Sequence, residues 1–220
     1  MHAFARIFKI FISPRETFES IEQKPNTLVP YIVLLVAFIL MQYFTLDIQM
    51  SDRIALIEAK GASAERLEVA RNQIQGPVKN MGIILSPFMI PLIWAIFAGT
   101  LLFTCNLIFG KKVKFKKLYA IVAWSSLVGI IMSILMTLLV LSKGTFHGVA
   151  VDLSLLLSTP QIGEGTSTFY RFLAKFDIFT IWQLILWMIG LGVIYRVAIK
   201  KAARCQCYCY GRFGLSLVLP

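Results

Sequence analysis

The segment from Asp177 to Lys201, DIFTIWQLILWMIGLGVIYRVAIKK, constrains the fold of this chain more than any other. It opens on one acidic residue, carries no charge until Arg196, and closes on Lys200, Lys201 and Arg204. About 20 helical residues at about 1.5 Å each reach roughly 30 Å, the thickness of a bilayer's hydrocarbon core. A small soluble domain has no use for such a helix. Composition agrees: 58% of the 220 residues are hydrophobic, 15% are charged, and the mean hydropathy is +0.76. Soluble domains hold about 45–50% apolar and about 25% charged residues. Length is therefore read as a number of spans.

Three earlier stretches, residues 28–46, 81–109 and 118–141, are equally free of charge. With 178–199 they predict an all-α integral membrane protein, a four-span helical bundle occupying residues 28–201. Residues 1–27 precede it as cytoplasmic amphipathic helices. Residues 202–220 follow as a flexible, cysteine-containing tail. In the first helix Phe4, Ile7, Phe8 and Phe11 form one stripe with Arg6 and Lys9 elsewhere, suited either to the headgroup layer or to packing on the spans. Ser13-Pro14 with Glu16 predicts a capped second helix that offers Phe18 and Ile21 to the membrane. The first apolar run begins too late, at Leu28, for an ordinary signal peptide.

Residues 47–80 read as a helical hairpin in the first extracytoplasmic loop, with one helix over 52–60, a second capped by Ser63, and Gly76-Pro77 as its stop. Span two is too long for a straight crossing, and Pro87 and Pro91 predict a kink or an interfacial start. Ala95 and Gly99 in that span, and Ser125, Gly129 and Ser133 in span three, are small residues at fourfold spacing, which predicts helix packing. Residues 149–157 are apolar but too short to cross, and predict a surface or re-entrant helix.

Charge fixes the expected orientation. Residues 1–27, 110–117 and the tail from Arg196 carry 4, 5 and 5 basic residues and only 3 acids. The loops 47–80 and 142–177 hold 8 basic and 8 acidic residues, so the whole net charge of +11 lies on one side. Basic residues accumulate on the cytoplasmic side, which predicts an inner-membrane protein with both termini cytoplasmic. Lys111, Lys112, Lys114, Lys116 and Lys117 then face anionic headgroups, and no nucleic-acid partner is needed to explain the charge.

Catalytic and metal-binding patterns are not found. His2 and His147 are the two histidines, and the four spans contain no ionisable side chain up to Tyr195. That argues against a proton or ion-coupled carrier, though not against a pore lined by Ser, Thr, Asn106 and Gln183. The four cysteines do not suggest a disulfide framework. Cys205-x-Cys207-x-Cys209 departs from zinc spacing, which leaves soft-ion binding, acylation or an inert tail. Asp177 and Trp182 are expected as a helix cap or hydrated carboxylate and an aromatic anchor about 7.5 Å deeper. The other reading of Asp177, Phe179 and Trp182 is a site receiving a ligand or partner.

Ser13-Pro14-x-x-x-Phe18-x-x-Ile21 leads through Pro25 and Pro30 into span one. Leu173-x-x-Phe176-Asp177-Ile178-Phe179-x-x-Trp182 continues through Leu186, Gly190, Leu191 and Gly192. Together they resemble the bacterial branch of the Yip domain family over about residues 8 to 201. These are multispanning membrane proteins whose eukaryotic relatives were named for binding Ypt/Rab GTPases. The resemblance implies a helical membrane protein with no established catalytic activity. The Asp-Leu-Tyr-Gly-Pro and Gly-Tyr motifs of eukaryotic members are missing here, so Rab binding does not carry over. The expected function is non-enzymatic, an interaction scaffold or a modulator of membrane organisation. No cofactor is expected, and the partners are membrane lipids, other membrane proteins or a second copy. The alternative is a small transporter or channel using the polar residues of spans two to four.

Overall fold

A computed structural model describes residues 3–75, 80–157, 167–174 and 176–216. Its helices are α1 (Ala3–Ile12), α2 (Pro14–Gln23), α3 (Leu28–Ala59), α4 (Ala64–Gln75), α5 (Met81–Phe109), α6 (Phe115–Ser125), α7 (Val128–Lys143), α8 (Thr168–Leu173), α9 (Ile178–Tyr195) and α10 (Ile199–Ser216). Among the described residues extended pairing is limited to one bridge, Asp152 with Asp177. Leu28–Ala59, Met81–Phe109, Phe115–Lys143 and Ile178–Tyr195 are long and apolar enough to cross a membrane. The protein is an all-α, four-span membrane protein. Two compact units divide the chain: Met1–Leu35 with Phe88–Ile130 and Phe179–Pro220, and Val36–Pro87 with Ile131–Ile178.

The first unit is built around α6, where Leu118 and the run from Ala120 to Ser125 are buried. Trp124 is 0% exposed and donates its indole N–H to the Asn26 carbonyl at 2.7 Å. Ile10, Phe18, Ile21, Trp94, Ala98 and Leu186 belong to the same core. Phe18 and Ile21, expected to face the membrane, are therefore interior. The small helix α2 buries them against protein because its opposite side carries the charges Arg15, Glu16 and Glu19, which stay exposed. In α1, Ile10 packs inward while Phe8 and Ile12 are exposed, so one helix serves both of its expected surroundings.

Arg6 departs from expectation most. Its side chain is 6% exposed, and its guanidinium donates to the carbonyls of Ser20 and Lys24 at 3.3 and 3.4 Å. These lie at the C-terminal end of α2, where the helix dipole favours a cation; the Ser20 carbonyl also accepts the Lys24 N–H at 3.3 Å. Ser13 stands at the N-cap position, but its hydroxyl makes no cap bond. Thr17 instead donates its N–H and hydroxyl to the Ser13 carbonyl.

The helix that carries span one does not end at Leu46. Helix α3 continues through Asp47 and Asp52 to Ala59, because an acidic side chain ends a membrane crossing without ending a helix. It stops at Gly61 (φ 72°), whose N–H bonds Glu58 O while Ala62 N–H bonds Ile57 O. That paired arrangement needs a left-handed residue, the conformation glycine adopts without a Cβ penalty. The Ser63 hydroxyl accepts the Arg66 N–H at the start of α4, and Gly76-Pro77 lies outside the described residues.

Helix α5 runs unbroken past both prolines. Pro87 has no N–H for the Ile83 carbonyl, and the Ser86 hydroxyl supplies that donor at 2.8 Å. Span three is the one that breaks, between α6 and α7 at Ser126 and Leu127. Leu127, Gly129 and Ile130 bond carbonyls three residues back, and the Ser126 hydroxyl takes the Val122 carbonyl at 2.8 Å. This is a local tightening of the helix with a serine competing for its carbonyls. In the second unit, Asp52 accepts from Thr145 Oγ1 at 2.9 Å and from Phe146 N at 2.6 Å. The apolar piece 149–157 forms only a short 3-10 turn, Leu153–Leu156, capped by Asp152.

Gly190 of α9 is the close-packing glycine of the first unit. A Cβ there would lie 2.8 Å from Ile121 Cγ2, whose side chain is itself fully buried and β-branched. Gly190→Ala should therefore destabilise the protein by about 1–3 kcal/mol through overpacking, read as a lowered Tm in detergent. Gly99→Ala, where a Cβ would meet nothing within 4 Å, should leave Tm unchanged.

Candidate functional site

Functional geometry concentrates in the first unit, where the ends of α5, α9 and α10 meet the 110–117 loop. Asn106 on α5 anchors it. Its Oδ1 accepts from Tyr195 Oη at 2.7 Å and from Val113 N at 3.3 Å, tying the last turn of α9 and the loop to α5. The Phe109 and Tyr195 rings pack at 5.1 Å. Lys111 Nζ donates to the Tyr195 carbonyl at 2.7 Å, a cation at a helix C-terminus. Lys117 pairs with Glu22 of α2 at 3.0 Å. Thus two of the five loop lysines hold the loop to the helices, while Lys112, Lys114 and Lys116 are exposed.

Helix α9 ends with Arg196 N bonding Val193 O and Val197 N bonding Gly192 O. This is the same capping geometry that Gly61 provides for α3, but the left-handed residue is an arginine with φ 50°. Among the described residues no other non-glycine has positive φ. Such a position costs about 1 kcal/mol or more relative to glycine.

Helix α10 replaces the expected flexible tail. Ala202 and Cys205 are fully buried, and Gln206 Nε2 donates to the Leu184 carbonyl of α9 at 3.1 Å. Cys205 is joined to Cys105 of α5 in a disulfide, with Cα atoms 5.9 Å apart and 100 residues between them in sequence. The expectation that the cysteines form no disulfide is corrected here. The sequence suggests a flexible tail because Tyr210 to Pro220 has no strong amphipathic pattern. The structure holds it through the bond to Cys105 and the contact of Gln206. With Cys205 occupied, a three-thiolate site over Cys205, Cys207 and Cys209 is not formed; Cys207 is exposed and free. Among the described residues no group of three His, Cys, Asp or Glu side chains is placed to hold a metal ion.

The remaining sequence candidates separate. Asp177 belongs to the second unit and is 6% exposed, so it is no hydrated carboxylate. It pairs in the bridge with Asp152, beside the bond from Leu153 N to Phe176 O. Phe179 and Trp182 belong to the first unit. Phe179 packs on its core, and Trp182 is 37% exposed, with ring surface open to lipid. Ser125 is buried, but a Cβ built at Gly99 or Gly129 meets no atom within 4 Å. Close approach within the chain therefore occurs at Gly190 and Ala98 rather than at these two glycines. Gln183, the other polar candidate of the spans, donates weakly to Ser126 Oγ at 3.4 Å, facing the break in span three. Arg196 and the cation cluster beside it were not singled out from sequence. An arginine following a span is ordinary, and its left-handed backbone leaves no sequence signal.

A family model described as the Yip1 domain matches residues 8–219. No curated protein and no solved structure matches the chain. The matched range takes in α10 and the disulfide, beyond the stretch to residue 201 on which the resemblance was read.

The disulfide closes a long loop and should contribute about 2–4 kcal/mol. Cys205→Ala should lower Tm by several degrees, and reductant should lower the Tm of the unaltered protein but not of the variant. Both sulfurs are buried. A maleimide applied to the folded protein should therefore label Cys207 and leave Cys105 and Cys205 unlabelled until the chain is denatured and reduced.

Proposed function

The chain belongs to the Yip1 domain family, and from that membership we propose a non-enzymatic inner-membrane protein that acts through interactions, as a scaffold or modulator of membrane organisation. The observation that carries this reading is the state of Asn106. As the amide best placed in span two to line a pore, it spends its oxygen on Tyr195 and Val113, and so works as a brace. Exposed surface supports interaction in two ways. Lys112, Lys114 and Lys116 are open for anionic headgroups. The small faces at Gly99 and Gly129 are not filled by the chain itself, and such faces suit a neighbouring helix from a partner or a second copy. The excess of basic residues in 1–27, 110–117 and the tail supports cytoplasmic placement of both termini.

One observation favours the alternative of a small transporter. Span three is discontinuous at Ser126–Leu127 with Gln183 opposite, and interrupted helices are common at transport sites. Flux assays on proteoliposomes separate the two. The scaffold reading expects no solute flux above that of empty vesicles, whereas flux abolished by Asn106→Leu would overturn it.

Topology is tested in a background carrying Cys207→Ala and Cys209→Ala. A cysteine introduced at Ser51 should react with an impermeant maleimide from outside the cytoplasm, and one at Lys114 only after the membrane is opened. The opposite pattern would refute the proposed orientation.

A further inference from the structure

A hollow of about 650 Å³ lies in the first unit, lined by Ile108, Phe109, Lys111, Arg196, Lys201 and Arg204, with Val197, Ala198 and Tyr208 completing the wall. Its four charged side chains are all cations, and no carboxylate lines it. Among the described residues Arg196, Lys201 and Arg204 make no ion pair, whereas Lys117 and Arg15 do; Arg196 also borders a second hollow, which Glu19 and Glu22 line. Four cations around one hollow with no carboxylate in its wall repel one another, an arrangement that a bound anion relieves. The wall is also braced. Lys111 is fixed by the Tyr195 carbonyl, Arg196 by the cap of α9, and Arg204 follows its neighbour Cys205 into the bond with Cys105. Arg196 takes a left-handed backbone where glycine would serve the cap better. Strain of that kind is retained where the side chain is used.

We propose that this hollow is a binding site for the phosphate of an anionic phospholipid. Two guanidinium groups and two ammonium groups match a phosphate's oxygens with charge-assisted bonds. The apolar part of the lining decides between sources. Ile108 and Phe109 end span two, and Ile108 is half-exposed, so the hollow continues onto the surface that meets acyl chains. A diester with two tails uses both halves of the lining; a free phosphate uses only one. The proposal rests on the reading of this basic end as lipid-facing. It differs from it in resting on Arg196, Lys201 and Arg204 rather than on the exposed loop lysines.

The test is native mass spectrometry of the full chain in detergent, titrated with phosphatidylglycerol, phosphatidylcholine or glycerol 3-phosphate. One phosphatidylglycerol adduct should form at a concentration at least about tenfold below that for phosphatidylcholine. Arg196→Gly should keep or raise Tm, since glycine suits the cap, and should abolish the preference. Arg204→Gln should do the same to the preference at unchanged Tm. Lys112→Gln with Lys114→Gln should leave it intact. Glycerol 3-phosphate binding as tightly as phosphatidylglycerol would overturn the lipid assignment in favour of a soluble phosphate ester. Loss of preference in the loop variant, with retention in Arg196→Gly, would overturn the hollow as the site and leave general attraction by the basic face. Because the measurement is made in detergent, it is independent of orientation and of partner proteins, so failure of the scaffold reading does not imitate failure here.

Discussion

Polar groups in a hydrocarbon layer have no water to turn to, and this condition organises the protein. Each unpaired backbone group there costs several kcal/mol, which confines spans to helices and turns side-chain hydroxyls back onto the backbone. Ser86 answers the carbonyl that Pro87 leaves open, and Thr45, Thr100, Ser126 and Thr137 bond carbonyls three or four residues back in the same way. Longer polar side chains reach other elements: Trp124 to Asn26, Asn106 to Tyr195, Gln206 to Leu184. Apolar burial cannot by itself hold the helices together, because lipid tails are as apolar as leucine. Packing against α6 and a few directed hydrogen bonds of about 1 kcal/mol each carry that task instead.

The same condition limits function. A pore or carrier needs polar side chains left free to meet a solute, and the Asn106 oxygen of span two is engaged in bracing while Ser86 and Thr100 bond carbonyls of their own helix. What remains available lies where the chain meets the headgroup layer. There stand the exposed Lys112, Lys114 and Lys116 and the cation-lined hollow, the features from which lipid binding is proposed. The break in span three is the feature that best resists this account, since Ser126 and Gln183 bond each other only weakly at 3.4 Å.

Much of the architecture was legible in the sequence, because hydrocarbon thickness imposes lengths that charge-free runs reveal directly. Four spans, the early helices and the family were all readable from residues such as Pro25, Asp177 and Trp182. Helix ends were less readable. Asp47 marks where α3 leaves the apolar layer, not where its hydrogen bonds stop. Pro87 suggested a break that Ser86 repairs, while the break at Ser126 has no proline to announce it. The site was nearly invisible. Arg196 looks like any cation after a span, and Cys105 and Cys205 are 100 residues apart. Backbone handedness and long-range pairing are properties of the fold, with no local period to betray them.

Arg6 and Arg196 show how position decides what an arginine means in such a protein. Both stand at the C-terminal end of a helix, where unpaired carbonyls favour a cation. Arg6 reaches α2 from another helix, is buried, and spends two of its nitrogens on Ser20 and Lys24. Its charge is consumed by the fold. Arg196 caps with its backbone alone, and the residue stays exposed at the edge of the hollow beside Lys201 and Arg204. A cap made by the side chain fixes a structure, whereas a cap made by the backbone leaves the side chain free for use elsewhere. The first fastens α1 to the end of α2, while Ile10, Phe18 and Ile21 seat the pair on the core. The second fixes the backbone of Arg196 while its side chain takes no part in the cap.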